Sequence, residues 1–160
     1  MPATSPTPAA VKSFLDKARA ALPGAEIGDS LRQRCIGFDT VSANRICDYV
    51  IGGEKVGTFS TPWLHKAQPQ MKPEIGEYVL LYNYDGEPRA LLHTRALELV
   101  PFKDVNGTHT AIDGPSVRPL EAWRNVHVPY WNGLLAPLGR KVSDDMPVIV
   151  ERFACVFPKK

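Results

Sequence analysis

The sequence predicts an α+β domain in which helices surround a small, mostly antiparallel sheet. Two observations carry this prediction. Apolar residues recur at helical spacing in the first third of the chain, and extended apolar runs separated by turn residues follow them. A length of 160 residues suits one compact domain with one core.

Two helices are predicted at the start of the chain. The first covers residues 8–22, where a Thr-Pro pair is typical of a helix start and Pro23-Gly24 ends the apolar pattern. A second helix is expected after Ser42, which can cap it, and Gly52-Gly53 ends it. Residues 24–41 between them have no clean period, so no element is predicted there.

Strands are predicted in the middle and at the end of the chain. Residues 55–60 are β-like and a proline closes the segment. Residues 77–84 and 89–102 are rich in apolar and aromatic side chains and flank an Asp-Gly turn, which indicates a hairpin. The pattern over residues 147–157 predicts a final strand that completes a sheet or barrel.

A loop and a third helix are predicted between the hairpin and the final strand. Residues 103–118 contain the breakers Asn106-Gly107 and Asp113-Gly114-Pro115. Pro119 then begins a helical pattern, which Pro129 is expected to kink or end.

Composition excludes several classes of protein. No apolar run approaches the roughly 20 residues that span a bilayer, so no membrane role is expected. The N terminus lacks the basic and apolar regions of a secretory signal, which favours a cytoplasmic protein with a disordered tail over residues 1–8. A net charge of +2 is small for a nucleic-acid binder, so any RNA site must be local.

The residues that commonly bind metals do not form a recognisable motif. The three cysteines are widely spaced without a CxxC pair, which favours reduced, buried thiols. The four histidines never fall at ligand-like spacings. No cofactor is therefore expected, and a divalent metal at Asp144 and Asp145 is left open without being indicated.

The segment GEKVGTFS, residues 53–60, has the chemistry of an anion or carbonyl site. It places a lysine and two hydroxyls near a glycine-rich bend whose backbone amides can point at a ligand. On a regular strand Lys55 lies on the face opposite to Thr58 and Ser60. The lysine stem or the bend must therefore bring these groups together.

The same segment resembles the GxKxxT signature of ASCH domains, which are related to the PUA domains that bind RNA. The resemblance covers about residues 10–157, and this part of the chain is similar to the larger bacterial ASCH subfamily. It implies a PUA-like β-barrel of mostly antiparallel strands flanked by helices, with one ASCH domain over residues 9–158. Further matches at the family's spacings are Pro88-Arg89, residues 98–102, Leu120, Trp123-Arg124, His127, residues 143–147 and Glu151-Arg152-Phe153.

The resemblance implies two alternative activities. Some members are hydrolases that remove an acyl group from N4 of cytidine with a lysine, a threonine and a glutamate, and others have been assigned ribonuclease activity. The lysine and threonine correspond to Lys55 and Thr58, but the glutamate has no counterpart. Asp113 is the only acid in the matching loop, and its shorter side chain can miss the roughly 3 Å reach that a general base needs.

Cleavage of single-stranded RNA is the first expectation, because the glutamate is missing. In that reaction a charged Lys55 stabilises the transition state, and Tyr49 or Tyr130 supplies a phenol for proton transfer or base stacking. Thr58 and Ser60 then bind phosphate oxygens.

Two other functions remain open. For amide hydrolysis Lys55 must lose its charge, while Thr58 orients the water or the carbonyl and Asp113 shuttles protons. Binding of RNA or a nucleotide without catalysis is the third function.

Four further residues are candidates for substrate binding. Gly53 offers its backbone, Trp63 can form a pocket wall, and Arg95 can replace an arginine that relatives carry at the position of His93. Arg152 either lines the cleft or pairs with a carboxylate. The expected partner is RNA, a nucleoside or a nucleotide, and the expected state is a monomer or a homodimer.

Overall fold

A curled sheet forms the centre of the computed structural model, which describes residues 2–159. Within this range the sheet has five strands in the order β1-β3-β4-β5-β2. Strands β1 and β3 are parallel, whereas all other neighbours are antiparallel. The strands are β1 (Arg32–Arg34), β2 (Gly57–Ser60), β3 (Tyr78–Tyr82), β4 (Pro88–Pro101) and β5 (Pro147–Phe157).

Strand β4 produces the curl of the sheet. It pairs with β3 over its first half and with β5 along most of its length. The register between β4 and β5 shifts between Leu91 and Leu92 and again between Thr94 and Ala96. Because such bulges bend a strand and increase its twist, the sheet closes into a half-barrel. The predicted α+β fold is confirmed.

Five α-helices flank the sheet in the described part of the chain. They are α1 (Pro8–Ala21), α2 (Thr40–Ile51), α3 (Pro62–His65), α4 (Gly107–Thr110) and α5 (Leu120–Leu135). Helix α1 confirms the first prediction to within one residue, and the hydroxyl of Thr7 accepts the backbone N–H of Ala10 at its start.

The prediction that Ser42 caps the second helix is wrong. Asp39 is the N-cap of α2, and its carboxylate accepts the Ser42 backbone N–H at 2.7 Å. The hydroxyl of Ser42 accepts the Asp39 backbone N–H in return, at 3.1 Å. This reciprocal capping box starts the helix three residues earlier than the serine alone suggests.

Pro129 does not end the third predicted helix. Helix α5 continues to Leu135, because Trp131 and Leu135 beyond the proline are buried in the same apolar cluster as Trp123. The predicted loop over residues 103–118 contains α4 and two 3₁₀ turns. Strand β1 was not predicted from the sequence.

Apolar contacts hold each long helix against its own part of the sheet. Helix α1 packs on Leu80 and Leu91, and α2 packs on the opposite side through Cys47 and Val50. Helix α5 buries Trp123 against strand residues of β2 and β5. Helices α2 and α5 thereby stand on either side of the β2 start, where the signature segment lies.

Residues 2–7 run beside the β3–β4 turn. The backbone N–H of Thr4 donates to the carbonyl of Tyr84 at 2.9 Å. Met1 of the expected tail over residues 1–8 lies outside the described residues, and Pro8 belongs to α1. The division into a tail and one domain over residues 9–158 stays a prediction. No helix within residues 2–159 combines the length and apolar character needed to cross a membrane.

Candidate functional site

A cavity of about 200 Å³ lies between α2, α5 and the start of β2. The loop over residues 34–38 and the loop over residues 113–117 complete its walls. Side chains of α2 and α5 face each other across it. The residues with chemically active or aromatic side chains that line it are Arg34, Phe38, Arg45, Tyr49, Lys55, Thr58, Phe59, Asp113, His127 and Tyr130.

Lys55 and Asp113 form a buried ion pair in this cavity. The Lys55 Nζ lies 2.6 Å from Asp113 Oδ1, and the two residues are only 4% and 5% exposed. The same carboxylate oxygen accepts the Gly114 backbone N–H at 2.8 Å. Burial lowers the pKa of Lys55, and the charge of Asp113 acts in the opposite direction. The pair is therefore shielded from bulk solvent.

Backbone hydrogen bonds fix Lys55 before the strand begins. Its N–H donates to the carbonyl of Tyr49 at 3.0 Å, and the N–H of Val56 donates to Ile112 at 2.8 Å. Regular pairing of β2 starts only at Gly57. Lys55 therefore precedes the regular strand, and the alternation of side chains between the two faces of a strand does not apply to it. Its side chain lines the same cavity as Thr58. The bend brings the lysine and the hydroxyl together, as the sequence required.

Arg118 ties the two loops of the ion pair to each other. Its Nε donates to the carbonyl of Asp113 at 2.9 Å, and its Nη2 donates to the carbonyl of Glu54. The carbonyl of Arg118 in turn accepts the hydroxyl of Thr110 at 2.6 Å. Because Glu54 precedes Lys55, this side chain sets the distance between the lysine and the aspartate.

Close packing at Gly57 positions Thr58. A Cβ atom at residue 57 would overlap the Ile112 side chain and the carbonyl oxygen of Glu151, so only glycine allows β2 to approach this closely. Thr58 then pairs with Glu151 across the ladder. The Glu151 carboxylate accepts hydrogen bonds from Arg32 and Thr94, both at 3.2 Å. A buried polar cluster thus lies behind Thr58.

His127 presents a neutral ring to the cavity. Its Nδ1 lies 2.9 Å from the carbonyl of Trp123, which only accepts, so Nδ1 carries the proton. The ring stacks on Trp123 with centroids 4.4 Å apart, and burial lowers the pKa of His127 to about 4. Its Nε2 has no hydrogen-bond partner among residues 2–159 and bears a lone pair. The side chain is therefore an acceptor for a donor on a ligand.

Aromatic and cationic side chains surround the cavity mouth. Phe38 and Tyr130 form an edge-to-face pair with centroids 5.4 Å apart, and they are 56% and 43% exposed. Arg34, the last residue of β1, and Arg45, on α2, line the same cavity. These groups are suited to a flat ligand that carries negative charge.

The structure brings five predicted site residues together and places the other five elsewhere. Tyr49, Lys55, Thr58, Asp113 and Tyr130 line the cavity. The remaining five are outside its lining. Gly53 is in an exposed turn, Arg95 is exposed on β4, and the hydroxyl of Ser60 is shielded from solvent. The ring centroid of Trp63 lies 4.4 Å from the Arg140 guanidinium, and Arg152 pairs with Glu98 at 3.2 Å.

The sequence did not predict several polar residues of the cavity, among them Arg34, Arg45, Ser116 and His127. Arg34 and Arg45 gave no signal, because residues 24–41 lack a period and Arg45 lies on a helix predicted only by its apolar side. His127 was noticed as part of the family pattern and was not assigned a role. Within residues 2–159 no group of three or more His, Cys, Asp or Glu side chains is arranged to hold a metal ion.

Known proteins provide an independent comparison. The family model described as the ASCH domain matches residues 34–157, which is more than half of the chain. No curated protein matches it.

Two solved structures share the fold. The ASCH domain from Lactobacillus crispatus JV V101 aligns with a TM-score of 0.81 and 20% identity, covering 92% of this chain and 94% of its own. Protein EF3133 from Enterococcus faecalis V583 aligns with a TM-score of 0.80 and 19% identity, covering 93% and 89%. The chain belongs to the family of ASCH domains, a PUA-like fold family proposed to bind RNA.

Proposed function

We propose that this protein hydrolyses an acylated amine of a nucleoside base bound beside Lys55 and Asp113. One observation carries the proposal. The Lys55 Nζ and Asp113 Oδ1 are 2.6 Å apart and buried in the cavity that Thr58 also lines. A compact lysine, threonine and carboxylate suits amide hydrolysis, whereas an open basic cleft would suit RNA cleavage. Amide hydrolysis therefore replaces RNA cleavage as the preferred function.

The missing glutamate is less damaging than the sequence suggests. Asp113 is one methylene shorter, but its loop is tied to the Lys55 segment by Arg118 and by the Val56 to Ile112 hydrogen bond. The backbone thus carries the carboxylate to the lysine. The path of the loop thus compensates for the shorter side chain of the aspartate.

The pair has the groups that an amide hydrolysis needs. Asp113 takes a proton from a water molecule as the water oxygen bonds to the acyl carbon. The Lys55 ammonium keeps its charge in this mechanism, contrary to the expectation from the sequence. Thr58 and this ammonium donate to the carbonyl oxygen as it becomes negative. The bond from carbon to nitrogen then breaks, and the proton passes from the pair to the leaving amine. One water is consumed, and a carboxylic acid and a free base amine are formed.

The size and lining of the cavity favour a single small ligand. A volume of about 200 Å³ is below the roughly 300–1,000 Å³ of typical ligand pockets, so it accepts one base and not a folded RNA. Phe59 and His127 provide aromatic surface for a planar ring. An acylated base amine keeps one N–H, which matches the acceptor Nε2 of His127. These features support an N-acylated nucleoside as the substrate.

Cleavage of single-stranded RNA is the second candidate function. It is favoured by Tyr49, Tyr130 and the two arginines, which line the same cavity. It ranks lower because the charge of Lys55 is already compensated by Asp113 at 2.6 Å. A phosphodiester would have to displace that carboxylate to gain the lysine.

The test compares two substrates with the same protein. Purified protein is incubated with N4-acetylcytidine or with labelled single-stranded RNA, and cytidine, acetate and RNA fragments are quantified. We expect cytidine and acetate in equal amounts. Lys55→Met and Thr58→Val should lower the rate roughly 100-fold or more, the scale of lost acid–base and electrostatic catalysis. Arg95→Met, on the exposed face of β4, should retain full activity.

Two outcomes would reverse this proposal. Absence of cytidine at high protein concentration, with a folded wild-type protein, removes amide hydrolysis of this substrate. RNA fragments that require Lys55 would then place the second candidate first. Undiminished hydrolysis by Lys55→Met would show that another site carries the reaction.

A further inference from the structure

We propose that Arg34 and Arg45 form a phosphate-binding subsite of this cavity, so that the preferred ligand is a nucleotide and not a free nucleoside. The inference rests on the proposed function for the position of the base. The inference adds a phosphate group to the proposed ligand and names the two side chains that bind this group.

Arg34 differs from Lys55 and Arg32, which are paired with carboxylates. Lys55 is paired with Asp113 at 2.6 Å, and Arg32 is bonded to Glu77 at 2.7 Å and to Glu151 at 3.2 Å. The side chain of Arg34 has no ion pair and no hydrogen bond to a residue within 2–159, and its Nε is shielded from solvent without a partner. The Nε of Arg124 is also shielded without a hydrogen-bond partner, but its guanidinium lies over the Phe102 ring. The carboxylates of Glu77 and Glu151 pair with Arg32 and not with Arg34, although Oε1 of Glu151 has no hydrogen-bond partner.

This arrangement is unfavourable without a ligand. A shielded donor with no acceptor costs free energy. Burial and the charge of Arg32 lower the pKa of Arg34 and outweigh the opposing charges of Glu151 and Glu77. A phosphate oxygen in the cavity supplies the missing acceptor. The planar fork of a guanidinium matches two oxygens of one phosphate group, which a lysine would not do.

Arg45 provides a second positive charge on the same cavity. It is exposed on α2, and no ion pair to it is found among the described residues. The nearest acid along the chain, Asp48, pairs with Arg89 at 2.8 Å, and Asp39 accepts the Ser42 backbone N–H at the start of α2. Since Lys55 and Asp113 compensate each other, the lining keeps two positive charges. The hydroxyls of Tyr49 and Ser116 on the same lining can donate to further phosphate oxygens.

Two sources share this phosphate chemistry. One is the monoester of a free nucleotide, and the other is a phosphodiester of an RNA strand whose base enters the cavity. A dinucleotide separates them, since it carries an internal phosphodiester next to the same base. Both sources require Arg34.

The experiment measures binding by calorimetric titration and needs no turnover. Wild-type protein is titrated with cytidine, with cytidine 5′-monophosphate and with a cytidine-containing dinucleotide. We expect the monophosphate to bind at least about 10-fold more tightly than cytidine, which is the scale of one charge-assisted contact. Arg34→Met should remove this preference, and Arg45→Met should reduce it several-fold. The control Arg95→Met should leave it unchanged.

A dinucleotide that binds more tightly than the monophosphate assigns the subsite to RNA, and the opposite order assigns it to free nucleotides.

Equal affinity of wild-type protein for cytidine and its monophosphate would overturn the subsite, as would an unchanged preference in both Arg34→Met and Arg45→Met. Thermal unfolding of each variant verifies that it is folded, and Arg45 is exposed, so its replacement does not disturb the core. Failure of the proposed function gives a different result. Hydrolysis of N4-acetylcytidine and of its 5′-phosphate with the same KM removes the subsite alone. A phosphate preference without any hydrolysis removes the reaction alone.

Discussion

At the scale of single residues, the Lys55 and Asp113 pair links stability to chemistry. Removing one member of a buried ion pair leaves an uncompensated charge and costs roughly 3–5 kcal/mol. We therefore expect Lys55→Met to lower the free energy of unfolding by about that amount. In Lys55→Met/Asp113→Asn no charge is left buried, so most of the stability should return while hydrolysis stays absent. Chemical denaturation at pH 7 measures both variants.

The double variant decides between two roles of the pair. If it is as unstable as Lys55→Met alone, the loss comes from packing and not from an unpaired carboxylate. The Asp113 carboxylate also accepts the Gly114 N–H at 2.8 Å, and asparagine keeps an oxygen for that bond. The comparison therefore changes charge with little change in shape.

His127 should give the protein a measurable pH dependence of stability. Its pKa is about 4 in the folded protein and about 6.5 in an unfolded chain. Between these values the unfolded state binds a proton that the folded state does not bind. The free energy of unfolding should therefore fall as the pH drops from about 6.5 to about 4, by about 3 kcal/mol from this residue.

The matched variant for this prediction is His127→Phe, which keeps an aromatic ring next to Trp123 and cannot titrate. Burial also lowers the pKa of His65 and His93, so wild-type protein contains contributions of the same sign from them. Only the difference between the two proteins reports on His127. Parallel stability curves for both proteins over this pH range would contradict the assignment.

The sequence predicted those cavity-lining residues whose positions are local or belong to the signature. Lys55 and Thr58 were found from the motif, and Asp113 was found from the matching loop. Arg34 was not found, because its place in the cavity depends on the pairing of a three-residue strand with β3. For Arg152 the sequence left two alternatives open, and the structure has the second one, a pair with Glu98, a carboxylate 54 residues away in the chain.

At the scale of secondary-structure elements, replacing either of two glycines by alanine should have opposite effects on stability. Gly57 is in tight contact with Ile112 and the Glu151 carbonyl, so Gly57→Ala should lower the free energy of unfolding by about 1–3 kcal/mol. Gly133 lies in α5 with no atom near its missing Cβ, so Gly133→Ala should raise it by about 0.5–1 kcal/mol. Thermal unfolding of both variants tests the account, and a tolerated alanine at residue 57 would contradict the tight approach of β2 and β5.

The elements with strong local signals were predicted well, and those that depend on tertiary contacts were not. The final strand over residues 147–157 and helix α1 follow from apolar periodicity. Strand β1 has three residues and forms only because β3 is available beside it, so no local pattern announces it. Pro129 stops a helix locally, yet burial of Trp131 and Leu135 carries α5 past it.

At the scale of the whole molecule, one sheet is shared by the apolar clusters of α1, α2 and α5. Leu80 and Leu81 are adjacent in β3 and belong to different clusters on its two sides. We therefore expect one cooperative unfolding transition, with equal calorimetric and van't Hoff enthalpies. Two separate transitions in calorimetry would contradict a single domain over residues 9–158.

The curl of the sheet is the feature of the whole molecule that no sequence pattern predicted. An α+β arrangement follows from the order of the elements, and the barrel shape followed only from the family resemblance. The bulges around Leu91 and Thr94 that bend β4 have no glycine or proline to mark them. Their position depends on the register with β5, which is set by contacts far apart in the chain.

The central claim is that the cavity beside residues 55 and 113 holds an acylated nucleoside base. A crystal structure of Lys55→Met/Asp113→Asn with N4-acetylcytidine tests it most directly, because the inactive protein cannot convert the ligand. We predict that the base lies between α2 and α5, with its acyl group against residues 55 and 113 and its N4–H directed at His127 Nε2. A nucleoside bound elsewhere, or an acyl group remote from both residues, would contradict the claim.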